Sequence, residues 1–225
     1  MVNQFDEYRK EYSTLDFQGI KKWNDRWQVE FPDQHHFDIN FYNRCFSIVA
    51  SGNVNEDPEN CGVQYYKPTS VVELGGNDGS LAKAMIDRTE NHIDTWLNFE
   101  ISNWKQVEQT PLKEYVYQFR LLNTQLWNAG LFLEDFDVFL ASDVLEHFTS
   151  EEFIKIMDYV NKEEFKYLML RIPIGDEPTI NWDGYFGSHL CNLNRQQIKD
   201  LLSVNYKLIL DEGAWNTLWK HKDLM

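Results

Sequence analysis

Residues Val71 to Gly79, Val-Val-Glu-Leu-Gly-Gly-Asn-Asp-Gly, constrain this chain more than any other stretch. A short apolar run enters glycines, and Leu81, Ala84 and Met85 then recur at helical spacing. A strand that turns sharply into a helix is the entry unit of an open α/β sheet. Such sheets bind ligands at the carboxyl ends of their strands. Glycine lets the backbone turn there and approach a ligand without a Cβ in the way. Glu73 is the odd member, because a carboxylate inside an apolar strand is costly unless it has a partner.

The rest of the chain alternates in the same manner. Strands are expected at Thr95–Phe99, Tyr115–Phe119, Asp137–Ala141 and Tyr167–Ile172, the last stopped by Pro173. Trp104 and Val107 predict a short helix before Pro111. Thr149-Ser-Glu-Glu152 and Asn194-Arg-Gln-Gln197 read as capping boxes that open helices. Tyr206–Leu210 and Ala214–Trp219 are read as two last strands around a turn at Asp211-Glu-Gly213, too close for a crossover and therefore antiparallel. The pattern implies an α/β fold: a doubly wound, mostly parallel seven-stranded sheet with an antiparallel last strand. Residues 1–67 differ. Helical signals at Asp16–Glu30 and Asp38–Ala50 are broken by Phe31-Pro32 and followed by a polar turn-rich loop, Ser51–Gly62. They are read as an N-terminal helical cap or lid, with 68–225 as the ligand-binding domain.

Charge and cysteine content exclude several function classes. The formal net charge is −15, and nucleic-acid affinity rests on Lys and Arg neutralising phosphates. Neither nucleic acid nor anionic membrane is expected as a partner. Three cysteines without a C-x-x-C spacing suggest neither a disulfide framework nor a zinc site. His35-His36 are adjacent and do not converge on one ion, so no metal is expected. The polar, charged N-terminus and the lack of a long apolar run predict no signal peptide and no membrane span, and a cytoplasmic location.

A second acid, Glu100, closes the second strand about 20 residues beyond Gly79, the spacing that sets a carboxylate beside a bound ribose. Together, Glu73-Leu-Gly75-Gly-Asn-Asp-Gly79, Asn98-Phe-Glu100-Ile101 and Asp137-Val-Phe-Leu-Ala-Ser-Asp143-Val-Leu-Glu-His147 resemble the class I S-adenosylmethionine-dependent methyltransferases. The Asp-Val-Leu-Glu-His form resembles the branch that acts on small molecules. A nicotinamide dinucleotide site fits less well: it wants Gly-x-Gly-x-x-Gly and accounts for neither Glu73 nor Asp143–His147.

The resemblance implies S-adenosylmethionine as cofactor, S-adenosylhomocysteine as product, and roles for particular residues. Glu73 would support the glycine loop. Gly75, Gly76 and Gly79 would give close backbone approach to the methionine moiety. Asn77 stands where the family usually has its second glycine, and asparagine tolerates a left-handed backbone. Glu100 would grip the ribose hydroxyls, Ile101 would pack on adenine, and Asn123 would lie near the adenine amine. Ser142 or Asp143 would end the fourth strand beside the methionine part and the acceptor.

Methyl transfer from a sulfonium chiefly needs donor and acceptor held in line. An oxygen or nitrogen acceptor often also needs a base. His147, His189 and Asp143 are the candidates. A structural hydrogen bond is the competing role for His147. His189 follows Trp182-Asp-Gly-Tyr-Phe-Gly-Ser, which suits a substrate-facing segment. The acceptor is expected to be a small molecule, methylated at oxygen or nitrogen. A protein acceptor and a non-catalytic scaffold of the same fold are the alternatives.

Overall fold

The computed structural model describes residues 39–51, 69–76, 79–88, 93–99, 118–122, 136–174, 191–212 and 216–224. Among them are seven strands: β1 (Thr69–Leu74), β2 (Ile93–Phe99), β3 (Gln118–Leu122), β4 (Val138–Ser142), β5 (Tyr167–Arg171), β6 (Tyr206–Glu212) and β7 (Asn216–His221). They form one sheet in the order β3-β2-β1-β4-β5-β7-β6. The five strands from β3 to β5 run parallel. Strand β7 is antiparallel to both β5 and β6. Chain order reverses direction across the sheet at β1, with β2 on one side and β4 on the other. The crevice at such a switch point is where an open sheet takes its ligand.

Alternation along the buried strands sends successive side chains to opposite faces. Val72, Leu74, Phe139, Ala141, Leu168 and Leu170 face one core with α3 (Ser150–Lys162) and α4 (Arg195–Leu202). Val71, Trp96, Val138, Leu140 and Met169 face the other with α1 (Ile39–Ser51) and α2 (Ser80–Ile86). The result is a three-layer α/β/α arrangement. Helix α1 buries Phe41, Tyr42, Cys45 and Phe46 against the sheet, and Phe46 meets Trp96 with ring centroids 5.9 Å apart. On its outer side Arg44 pairs with Glu212 of β6. Of the segment read as an N-terminal cap, only 39–51 is among the described residues.

Both capping boxes form. Thr149 Oγ1 accepts from Glu152 N while the Glu152 carboxylate accepts from Thr149 N, and Asn194 and Gln197 do the same for α4. Two placements differ from the sequence reading. Strand β3, described from Gln118, runs on to Leu122, past the expected end at Phe119; Tyr115 lies outside the described residues. Its ladder with β2 pairs Thr95 with Gln118 and Phe99 with Leu122, so the partner strand carries it to Leu122. Asp211 and Glu212, expected in a turn, belong to β6 and pair with Thr217 and Asn216. The helix expected around Trp104 and the helical signal at 16–30 lie outside the described residues. No helix among those described is long and apolar enough to cross a membrane.

Candidate active site

Two loops meet at the switch point: the one leaving β1 and the one leaving β4. Gly75 has φ +70° and Gly79 φ +76°, a left-handed region that disfavours a side chain. Gly75 N donates to Phe99 O at 2.8 Å and Gly79 N to Gly76 O at 2.9 Å. These bonds pin the turn to the end of β2 and close it ahead of α2. A Cβ on Gly75 would lie 2.9 Å from Val144 Cβ and closer still to its methyl, so the β4 loop sits directly on Gly75.

Beneath the turn lies a buried polar layer. Glu73 and Asn98 are register partners on β1 and β2, and both are buried. Trp96 Nε1 donates to Glu73 Oε2 at 2.8 Å, which supplies a partner for the carboxylate. Gly76 N donates to Asn98 Oδ1 at 2.9 Å. Gly76 is glycine for want of room inside the protein: a Cβ there would collide with Glu73 Oε2 and fall 2.5 Å from Asn98 Nδ2.

The β4 loop is built from charge instead. Asp143 follows Ser142 with φ +50°, a conformation that aspartate tolerates better than most residues. Its N–H donates to Arg171 O at 3.0 Å. Its carboxylate accepts from Arg171 Nε at 3.0 Å through Oδ1 and lies 2.9 Å away through Oδ2. The Asp143 side chain keeps 32% of its surface open. Crowding by protein still pushes its carboxyl up to about 6, against the pull of Arg171 and of Ser142.

Glu146 lies in the 3₁₀ turn Leu145–His147 and is buried. Its Oε2 finds no hydrogen-bond partner among the described residues. Burial, reinforced by the nearby Asp143 charge, holds its carboxyl well above the usual range and favours the neutral acid. Tyr42 of α1 reaches the same corner. Burial raises its hydroxyl well above the ordinary value, with Ser142 and Arg171 opposing that shift and Asp143 adding to it.

The structure therefore brings Glu73, Gly75, Gly76, Gly79, Ser142 and Asp143 to the carboxyl ends of β1 and β4. His147 stands at the edge of this corner, with Nε2 3.7 Å from Glu146 Oε1 and 16% of its side chain open. Asn77, Glu100, Ile101, Asn123 and His189 lie outside the described residues. The sequence reading gave no role to Trp96, Asn98, Arg171, Glu146 or Tyr42. A polar Asn98 between buried Leu97 and Phe99 was one signal available for that layer. Among the described residues no cluster of three or more His, Cys, Asp or Glu side chains is placed to hold a metal ion.

The partly open Asp143 carboxylate is suited to a cationic group.

No family model matches the chain, and no curated protein matches its sequence. Solved structures do resemble it. Magnesium protoporphyrin IX methyltransferase from Synechocystis PCC 6803, with bound S-adenosylmethionine, superposes with a TM-score of 0.52 at 14% identity, over 97% of this chain and 96% of that one. The Burkholderia thailandensis 1,6-didemethyltoxoflavin-N1-methyltransferase, with 1,6-didemethyltoxoflavin and S-adenosylhomocysteine bound, gives 0.54 at 11% identity over 89% and 83%. The small RNA methyltransferase HEN1 gives 0.55 at 16% identity over 69% of this chain, which spans 23% of that protein's length. The sheet order, the glycine turn of β1 and these likenesses agree: the chain has the fold of the class I S-adenosylmethionine-dependent methyltransferases.

Proposed function

We propose that this protein transfers the methyl group of S-adenosylmethionine to an oxygen or nitrogen of a small-molecule acceptor and releases S-adenosylhomocysteine. The observation that carries this reading is the contact of Gly75 with Val144, which seats the glycine turn of β1 against the acid-bearing loop of β4 at the switch point. The donor would supply a methyl group already activated by its sulfonium charge. The chain's part is to bind and align. The turn Gly75–Gly79 and Asp143 would hold the methionine end, and Ser142 would border it. Glu100 follows Phe99, the last residue of β2, and would take the ribose hydroxyls. Ile101 and Asn123 would receive the adenine.

Residues 1–67 would cap the acceptor side, and 68–225 would form the donor-binding domain. His189 and His147 are the proposed proton acceptors. Asp143 is the weaker candidate, because Arg171 already claims its carboxylate. Two of the similar structures are named for small-molecule acceptors, and a net charge of −15 disfavours RNA. A cytoplasmic enzyme needing no metal is the corresponding biological setting.

Calorimetric titration with S-adenosylmethionine and S-adenosylhomocysteine tests the donor site. Micromolar binding, about −8 kcal/mol, that Glu100→Ala loses is the expected result. A folded protein that binds neither ligand would overturn the reading. A radiolabelled-methyl assay on extract, split into protein and small-molecule fractions, then separates a small acceptor from a protein one.

A further inference from the structure

We infer that Asn98 is a positioning residue for the donor site, and that Asn98 and Gly76 work as one steric and hydrogen-bonded unit that sets the glycine turn. The inference rests on the donor-site reading above. Asn98 is fully buried and sits in register with Glu73. Its Oδ1 takes the N–H of Gly76, and its amide, together with Glu73 Oε2, fills the space that a side chain at position 76 would need.

The arrangement carries a cost that core packing alone does not require. Asn98 Nδ2 is buried with no hydrogen-bond partner among the described residues, and an unmade buried donor is destabilising. An apolar side chain would avoid that cost. What asparagine adds is an acceptor aimed at the Gly76 N–H. Gly75 N and Gly79 N are satisfied by backbone oxygens, so among the described turn residues Asn98 completes the set. A turn held in one conformation binds at its intrinsic affinity, whereas a turn populating several loses affinity in proportion to the competent fraction. Asn98 therefore acts on the ligand through the backbone of Gly76 without touching it.

The test is a double-mutant cycle read as the dissociation constant for S-adenosylhomocysteine. Measurements are made well below the melting temperature of every variant, so loss of global stability does not move the readout. Asn98→Ala only removes atoms and is expected to fold and to bind about tenfold more weakly, a difference of about 1.4 kcal/mol. Gly76→Ala is expected to weaken binding strongly in the unaltered background and less in the Asn98→Ala background, where the amide is gone and Glu73 Oε2 still crowds the new Cβ. A folded Asn98→Ala protein that binds within twofold of the unaltered one overturns the inference, even if Gly76→Ala fails to fold. Additive effects of the two substitutions overturn it as well. If the unaltered protein binds no S-adenosylhomocysteine, the donor-site reading falls and the inference with it. Binding by the unaltered protein together with an indifferent Asn98→Ala isolates failure of the inference alone.

Discussion

The two loops at the switch point solve one problem by different physics. Both must hold a strained backbone at a strand end: Gly75 at φ +70° in the β1 loop and Asp143 at φ +50° in the β4 loop. Beneath the β1 loop, Glu73 is bonded by the Trp96 indole and Gly76 N by the Asn98 amide. Neither of those partners titrates. The β4 loop is held by one guanidinium facing two crowded acids, Asp143 and Glu146, with His147, Tyr42 and Cys191 around them. The first loop should fail on steric insult. The second should tolerate small changes of shape and fail when its proton count changes.

The largest effect is expected from Gly75→Ala. A left-handed alanine costs about 1–2 kcal/mol, and its Cβ would also push Val144 away. The sum is about 3 kcal/mol, or a fall in Tm of roughly 6–12 °C for a chain of this size, measured by thermal unfolding. The loss should be the same at pH 6 and pH 8. A strong pH dependence would break the contrast between the loops. Trp96→Phe is next. It withdraws the indole donor from a buried carboxylate, at about 2 kcal/mol, and urea unfolding should show it.

Arg171→Met should cost a similar amount, about 2 kcal/mol at pH 8, below the 3–5 typical of fully buried pairs because Asp143 is 32% open. Here the pH dependence is the diagnostic. The Asp143 carboxyl lies at about 6, so below that pH it is neutral and no longer needs the guanidinium. The penalty should therefore shrink as pH falls from 7 to 5. A penalty that stays constant across that range would show that Arg171 acts by packing alone.

What the sequence revealed follows from how local each signal is. The β1 turn and the two capping boxes at Thr149 and Asn194 were legible because each is written within a few consecutive residues. The need for a partner at Glu73 was also legible, from one acid in an apolar run. The partner was not. Trp96 reaches Glu73 only because β1 and β2 pair with Val71 opposite Trp96, and register is a property of two strands together. Arg171 was hidden for the same reason: it meets Asp143 through the pairing of Ser142 with Arg171 across β4 and β5. The extension of β3 to Leu122 has that origin too. Gly76 was legible as a glycine but not for its reason, since the atoms that exclude a Cβ there include Asn98, on the neighbouring strand.

The smallest effect at low pH, and the sharpest test of the β4 loop, belongs to Glu146→Gln. The Glu146 carboxyl is raised in the folded protein by burial and by the Asp143 charge, while in the unfolded chain it titrates normally. Below the unfolded value both states hold the proton, and the glutamate costs nothing. As pH rises above it, the unfolded chain releases the proton first, so folding stability falls until the folded pKa is passed. One such group gives a slope of up to about 1.4 kcal/mol per pH unit in that window. Glutamine imitates the neutral acid and removes the slope. The variant should match the unaltered protein near pH 4.5 and become progressively more stable than it toward pH 8, as followed by denaturant midpoints. Parallel stability curves for the two proteins would mean that Glu146 is ionised in the folded state and has a partner, and that the β4 loop is no more dependent on protons than the loop it faces.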